Sequence, residues 1–341
     1  HLSNNTWGAY QCYGDPFYKL VKVSAASDKA APEYLIAQEA EIDLNNLISD
    51  LDTGSADVPY ALRKVQMIAD AVKKADIQNS GTAENEAFIY AEIGDYENAI
   101  KKFEDLFKME NAQFSVLALE KYCNLSTRVC VSGYLSSAVQ GKTNWAEQLN
   151  TIIGRLDYLL LISPTAERYC LLGSAYKRRA IITSGVQRKA SLKAAAFYYY
   201  MATQKTTQPS VYAVTNWFQM EAVIRLNDKQ PWNLKETVTV SKNLFVPDAD
   251  TAMKKSYELI SREEAIETLA RLQATINKPL QNMDYWQLVS GANIALCKLV
   301  VSPKADKEAW GSLLETYKRL WKKTGSVAKR NAEREHLQAL Y

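Results

Sequence analysis

From about Ala31 onward, apolar residues recur at intervals of three and four rather than two. That is the period of helices with one face turned to a core. Pro32 suits a first helical turn, where its missing N–H costs nothing, and Leu35, Ile36, Ile42, Leu44, Leu47 and Ile48 supply apolar positions along the helix it would open. Turn-forming residues make Asp52–Pro59 a loop. Pro59 opens a second helix carrying Leu62, Val65, Ile68, Ala69 and Val72. Helix then follows helix to the C-terminus. One interruption stands out, Asn233–Asp250, where the alternating run TVTV predicts a long loop with short strands, or a break between two helical blocks.

A helical chain of 341 residues calls for a search for repeats. The clearest unit is AENEAFIYAEIGDYENAIKKFEDLF, Ala83–Phe107. Ala87 and Tyr90 share a first helix, Gly94-Asp95-Tyr96 makes the turn, and Ala99, Phe103 and Leu106 follow on a second. Small Ala87 and Ala99 let two antiparallel helices approach closely, while Tyr90 and Phe103 fill the space to the next pair. The unit resembles a tetratricopeptide repeat. A second unit begins at Ser163, where Tyr169, Leu172, Gly173 and Tyr176 keep the order of large and small residues, and Ala195, Tyr199 and Ala202 mark its partner helix. The wide gap between Gly173 and Ala195 predicts an extended first helix. A degraded third unit is expected near Pro209, with Trp217, Met220 and Ile224 on one face.

The opening stretch is of another kind. NTWGAYQCYGDP, followed by FYKLVKV, alternates aromatic and small residues around a Gly-Asp-Pro turn. It reads as extended chain, and a lone strand pair is marginal without a sheet to join. The segment resembles the last strand of the caspase-like protease domain associated with tetratricopeptide repeats, the CHAT family. LDYLLLISPTAERYCLLGSAYKR and MDYWQLVSGANIAL resemble the helical tails of large bacterial proteins of that family. The resemblance implies an upstream protease with a His–Cys pair outside this chain, so no catalytic residue is carried over to it.

Composition narrows the chemistry. A net charge of +3, set beside 41 basic and 38 acidic side chains, gives no field to draw the chain to nucleic acid or an anionic membrane. No apolar run is long enough to span a bilayer. Five cysteines without a CxxC pair suit a reducing, cytoplasmic setting. Cys123, Cys130, Cys170 and Cys297 fall on apolar helix faces as small hydrophobes. Gly141-Lys142-Thr143 lacks the upstream glycine of a phosphate loop, since Ser136 stands there. The two histidines, His1 and His336, offer no constellation for nucleophilic catalysis. Neither a cofactor nor a metal site is expected. The basic runs Lys177-Arg178-Arg179 and Lys318–Arg330 are expected to be solvated faces, with an acidic partner as the functional alternative.

These features predict an all-α, TPR-like alpha-alpha superhelix, a right-handed solenoid with a short extended N-terminal segment. Residues 1–24 would be the tail of an upstream CHAT-like domain, 32–232 TPR-like helical repeats, 233–250 a loop or short strands, and 251–341 closing helices. Stacked pairs leave a concave face lined by first helices. Helical spacing places Glu84, Phe88, Glu92, Glu167, Ser174, Lys177 and Arg178 there. The expected role is a non-catalytic interaction and regulatory scaffold that binds a protein or peptide and is coupled to the attached protease. The alternatives are a self-contained nucleotide-binding protein or enzyme with an unrecognised site, and a purely structural subunit.

Overall fold

The computed structural model describes residues 32–136, 144–208, 210–227, 237–240, 255–258, 260–276, 285–301 and 307–323, together with Arg334 and Leu337. The expected N-terminal extended segment, Cys12, the Gly141-Lys142-Thr143 motif, both histidines, Lys329 and Arg330 lie outside these residues.

Among the described residues the chain forms twelve helices: α1 (Ala37–Thr53), α2 (Val58–Ala75), α3 (Ser80–Glu92), α4 (Tyr96–Lys108), α5 (Val116–Ser136), α6 (Trp145–Ile162), α7 (Ala166–Ile182), α8 (Gly185–Thr203), α9 (Val211–Asn227), α10 (Arg262–Ile276), α11 (Tyr285–Val301) and α12 (Lys307–Lys323). Local chemistry sets their ends. Asp57, Asn79, Asp95, Asn144 and Thr165 accept backbone N–H groups at the starts of α2, α3, α4, α6 and α7. Each satisfies a donor that a helix N-terminus leaves without an intrahelical partner. Gly54 closes α1 at φ +76°, a left-handed conformation that a residue without Cβ adopts at little cost.

Packing follows a repeating rule. Each odd-numbered helix from α1 to α7 packs against the even helix that follows it, and α1, α3, α5 and α7 also pack against one another in succession. Each even helix from α2 to α8 touches the next odd one. The odd helices therefore form one layer and the even helices another, which is the arrangement of a TPR-like helical solenoid. Past α8 the rule holds only in part: α11 packs on α9, α10 and α12, but among the described residues neither α7 with α9 nor α9 with α10 packs in the same way. The fold is all-α, as the sequence predicts.

The repeat residues sit where the spacing places them. Ala87, Ala99, Phe103 and Leu106 are fully buried, and Phe88 meets Phe103 edge-on at 5.5 Å. At Gly173 the approach to α8 is closer still: a Cβ there would stand 3.0 Å from three ring atoms of Tyr199. Both helices of this second pair are lengthened, to 17 and 19 residues against 13 and 13 in α3 and α4. The extra length is thus shared, where the sequence predicted it for the first helix alone.

Two further expectations change. The first helix starts at Ala37 rather than near Pro32, and only Leu44 and Leu47 of its named apolar residues are buried. Leu35, Ile36 and Ile42 face outward. In α9, Trp217, Met220 and Ile224 are buried, but so is every residue from Ala213 to Arg225. A helix flanked by α8 on one side and α11 on another has no solvated stripe to give it a one-sided pattern.

TVTV forms β1 (Thr237–Val240), as its alternation suggests. It pairs antiparallel with β2 (Lys255–Glu258), in register Thr237↔Glu258 to Val240↔Lys255. The second strand lies beyond the 233–250 span expected to hold both. β1 packs beside α8, so the hairpin leaves the helix array between α9 and α10 without dividing it.

Candidate interaction surface

The odd-helix layer is held together by carboxylates. Asn79 Nδ2 donates to Glu41 Oε1 at 2.7 Å, which ties α1 to the start of α3. Glu84 Oε2 accepts the backbone N–H of Ser115 at 3.0 Å, just ahead of α5. Glu92 pairs with Lys121 of α5 at 2.8 Å. Glu120 of α5 pairs with Arg168 Nε of α7 at 2.7 Å. Arg168 also donates to the carbonyls of Leu159 and Ser163 at 3.1 and 2.8 Å, at the end of α6. Glu84 and Glu92, singled out by spacing as partner-binding residues, are thus engaged in seams between helices while remaining half-buried. Phe88 is also half-buried and packs on the core.

The Lys177-Arg178-Arg179 run is not a solvated face. All three are buried, with Ser174 beside them. Consecutive helical residues point about 100° apart, so three in a row reach three different neighbours. Lys177 Nζ donates to Asn216 Oδ1 of α9 at 2.9 Å and lies 5.8 Å from the centre of the Tyr199 ring. Arg178 donates to Asn124 Oδ1 and Thr127 Oγ1 of α5 at 3.0 and 2.9 Å. Arg179 donates to Asn150 Oδ1 of α6 at 2.7 Å and Ser191 Oγ of α8 at 2.8 Å. The run makes α7 the hub of the array. Ser174, Lys177 and Arg178 are consequently not presented to a partner in the way helical spacing suggested. The basic residues of α12 do behave as expected: Lys318, Arg319 and Lys322 are exposed.

Glu167 is exposed, and it stands beside the Glu120–Arg168 seam. Desolvation, and then the Glu120 carboxylate, raise its carboxyl above the usual range. The aromatic run Phe197–Tyr200 belongs largely to the core. Phe197, Tyr198 and Tyr199 are buried, and Tyr198 stacks on Tyr176 at 5.4 Å while donating to Asp157 Oδ1 at 3.2 Å. Burial pushes the thiols of Cys123 and Cys170 up to about 12 and that of Cys130 to about 11, and it raises Cys297 as well. Such thiols stay protonated at neutral pH and are poor nucleophiles. Among the described residues no group of three or more His, Cys, Asp or Glu is placed to hold a metal ion. Nor is any helix there long and apolar enough to cross a membrane.

The carboxylate ladder and the polar interior of α9, with Thr215, Asn216, Gln219, Glu221 and Arg225 all buried, carry no local motif. One signal was available for α9: its polar residues fall on no single face.

A layered array of antiparallel helix pairs defines a TPR-like helical-repeat region, an architecture suited to protein interaction. Residues 95–221 match the family described as Tetratricopeptide Repeats-Sensor. The match runs from the turn before α4 into α9, less than half of the chain. No curated protein matches the sequence.

Proposed function

We propose that this chain is a non-catalytic recognition and regulatory module, which binds a protein or peptide on its odd-helix layer and passes that event to an attached caspase-like protease. The observation that carries the reading is the continuous stack α1–α3–α5–α7, in which each helix is fastened to the next by a carboxylate. A ligand pressing on one helix of such a stack loads its neighbours. The word "sensor" in the matched family's description agrees with a signalling role. The opening NTWGAYQCYGDP supports the protease half by its resemblance alone.

Of the candidate residues, Glu84, Phe88, Glu92 and Glu167 keep accessible area and are assigned to partner contact. Ser174, Lys177 and Arg178 are assigned to holding α5, α7 and α9 in register. A bound segment would be extended or helical, since many side chains meet it along the layer.

The test has two readouts. The natural coding sequence upstream of His1 should hold a strand–helix domain with a His and a Cys; an unrelated domain there removes the protease half. Phe88→Leu, which keeps an apolar side chain against Phe103, and Glu167→Arg should weaken binding of the cognate partner while far-ultraviolet circular dichroism stays native. Unchanged binding by both variants removes the assignment of the surface.

A further inference from the structure

The layer rule breaks at α9. Among the described residues α10 and α12 both pack on α11, and α11 is the helix of these three that packs on the first nine, through α9. The seam between α9 and α11 therefore carries the attachment of the last three helices. Ile294, Cys297 and Val301 of α11 are buried in the main core and close the seam by apolar contact. The Cys297 thiol also donates to the carbonyl of Thr215 on α9 at 3.3 Å.

Gln219 stands one turn along α9 from Thr215, so it faces the same seam. Its amide lies beside the Cys297 thiol and acts on it. The residue is 1% exposed, yet neither its side-chain nitrogen nor its side-chain oxygen has a hydrogen-bond partner in good geometry. An amide buried without its bonds works against the closed seam, and water restores those bonds when the seam parts. The neighbouring seam is built differently. Between α12 and α11, Tyr317 Oη donates to Asn293 Oδ1 at 2.6 Å, and both residues are buried. Val289, Ala292 and Leu296 of α11 meet Leu313, Tyr317 and Leu320 of α12 in an apolar cluster of their own. Polar groups are completed within the last three helices and left incomplete where those helices join the rest.

We propose that α10, α11 and α12 form a cap that parts from α9 as a unit, and that Gln219 sets how readily the cap opens. A helical array opens in sections, and the section with the thinnest attachment opens at the lowest cost. Closed, the cap covers the outer flank of α9. Open, it turns the Gln219 amide and the Thr215 carbonyl to water, which satisfies both.

The experiment is hydrogen exchange by mass spectrometry on the full chain without denaturant. Amides of α10, α11 and α12 should exchange together and ahead of those of α5–α8. Gln219→Met fills a similar volume with an apolar chain and should slow exchange in the last three helices about tenfold. Ile294→Ala leaves a cavity in the seam and should hasten it about thirtyfold or more. A thiol reagent gives a second readout: in urea below the main unfolding transition, Cys297 should be labelled before Cys123 of α5 and Cys170 of α7. Exchange of α10–α12 at the rate of α5–α8 overturns the proposal, as does α12 exchanging ahead of α10 and α11. So does a Gln219→Met chain whose exchange is unchanged or faster, or whose fold is lost, which is the result if a trapped water completes the bonds of the amide. Labelling of the three thiols in step overturns it as well.

Discussion

Replacing Arg168 by Met removes a side chain that joins α5, α6 and α7 at a single point. Its guanidinium makes a 2.7 Å charged contact to Glu120 and donates to two carbonyls at the end of α6. The two partners are only 10% and 15% exposed at the side chain, so water reaches them poorly. Met fills much the same volume, which keeps cavity formation small and isolates the polar loss. Breaking one side of a buried pair costs about 3–5 kcal/mol, because the remaining charge is left without compensation. Some residual exposure of Glu120 lowers this, so a loss of about 3 kcal/mol is expected. Lysine in place of Arg168 keeps the charge but not the fork of donors, and should recover no more than about half. The assay is hydrogen exchange by mass spectrometry, backed by urea unfolding. A helical array can open in sections, and a single global free energy would blur a local effect. Protection should fall first in the last turn of α6 and the first turn of α7. A cycle with Glu120→Gln should show coupling of about 0.5–3 kcal/mol. Two results would refute the reasoning: a cost below about 1 kcal/mol for Arg168→Met, or full recovery by lysine.

Three further outcomes are expected. Gly173→Val should destabilise by more than about 1–3 kcal/mol, since branched bulk must enter where even a Cβ stands 3.0 Å from the Tyr199 ring, and thermal unfolding measures it. Because the carboxyl of Glu167 is raised in the fold, its neutral form is favoured there, and the stability it contributes is present below the unfolded carboxyl pKa and lost as pH rises through the folded one. Because Glu167 is exposed, solvent screens most of this, and Glu167→Gln should raise the melting temperature at neutral pH only slightly, with the difference vanishing in acid; a lower melting temperature at pH 7 would contradict this. In a Cys12→Ser chain, the four buried thiols should resist a disulfide reagent at pH 8 in the native state and react promptly in urea.

Much of the fold is legible along the chain because its signals are local. Asp57, Asn79, Asp95 and Thr165 act on backbone groups three residues away, and Ala87, Gly94 and Ala99 define a hairpin within 13 residues. The strand at TVTV was equally visible, but its partner was not, because Lys255–Glu258 carries no alternating pattern. Of the residues proposed for partner contact, spacing indicated the helix face but not the surroundings. Glu84, Phe88 and Glu92 lie half-buried on α3. Lys177 and Arg178 do not stand open on α7, because helical spacing tells which way a side chain points from its own axis and nothing of what lies opposite.

By itself the sequence determined that this protein is a series of helices, paired by small residues and free of a recognisable catalytic motif. Only the tertiary structure decided that a run of three cations would become the hub of the array. Their partners Asn216, Asn124 and Asn150 stand 39, 54 and 29 residues away. Capping and pairing are set by neighbours in the chain, whereas the burial of a charge is set by which distant helices close around it. A neutral asparagine gives no sign along the chain that it will receive a charge.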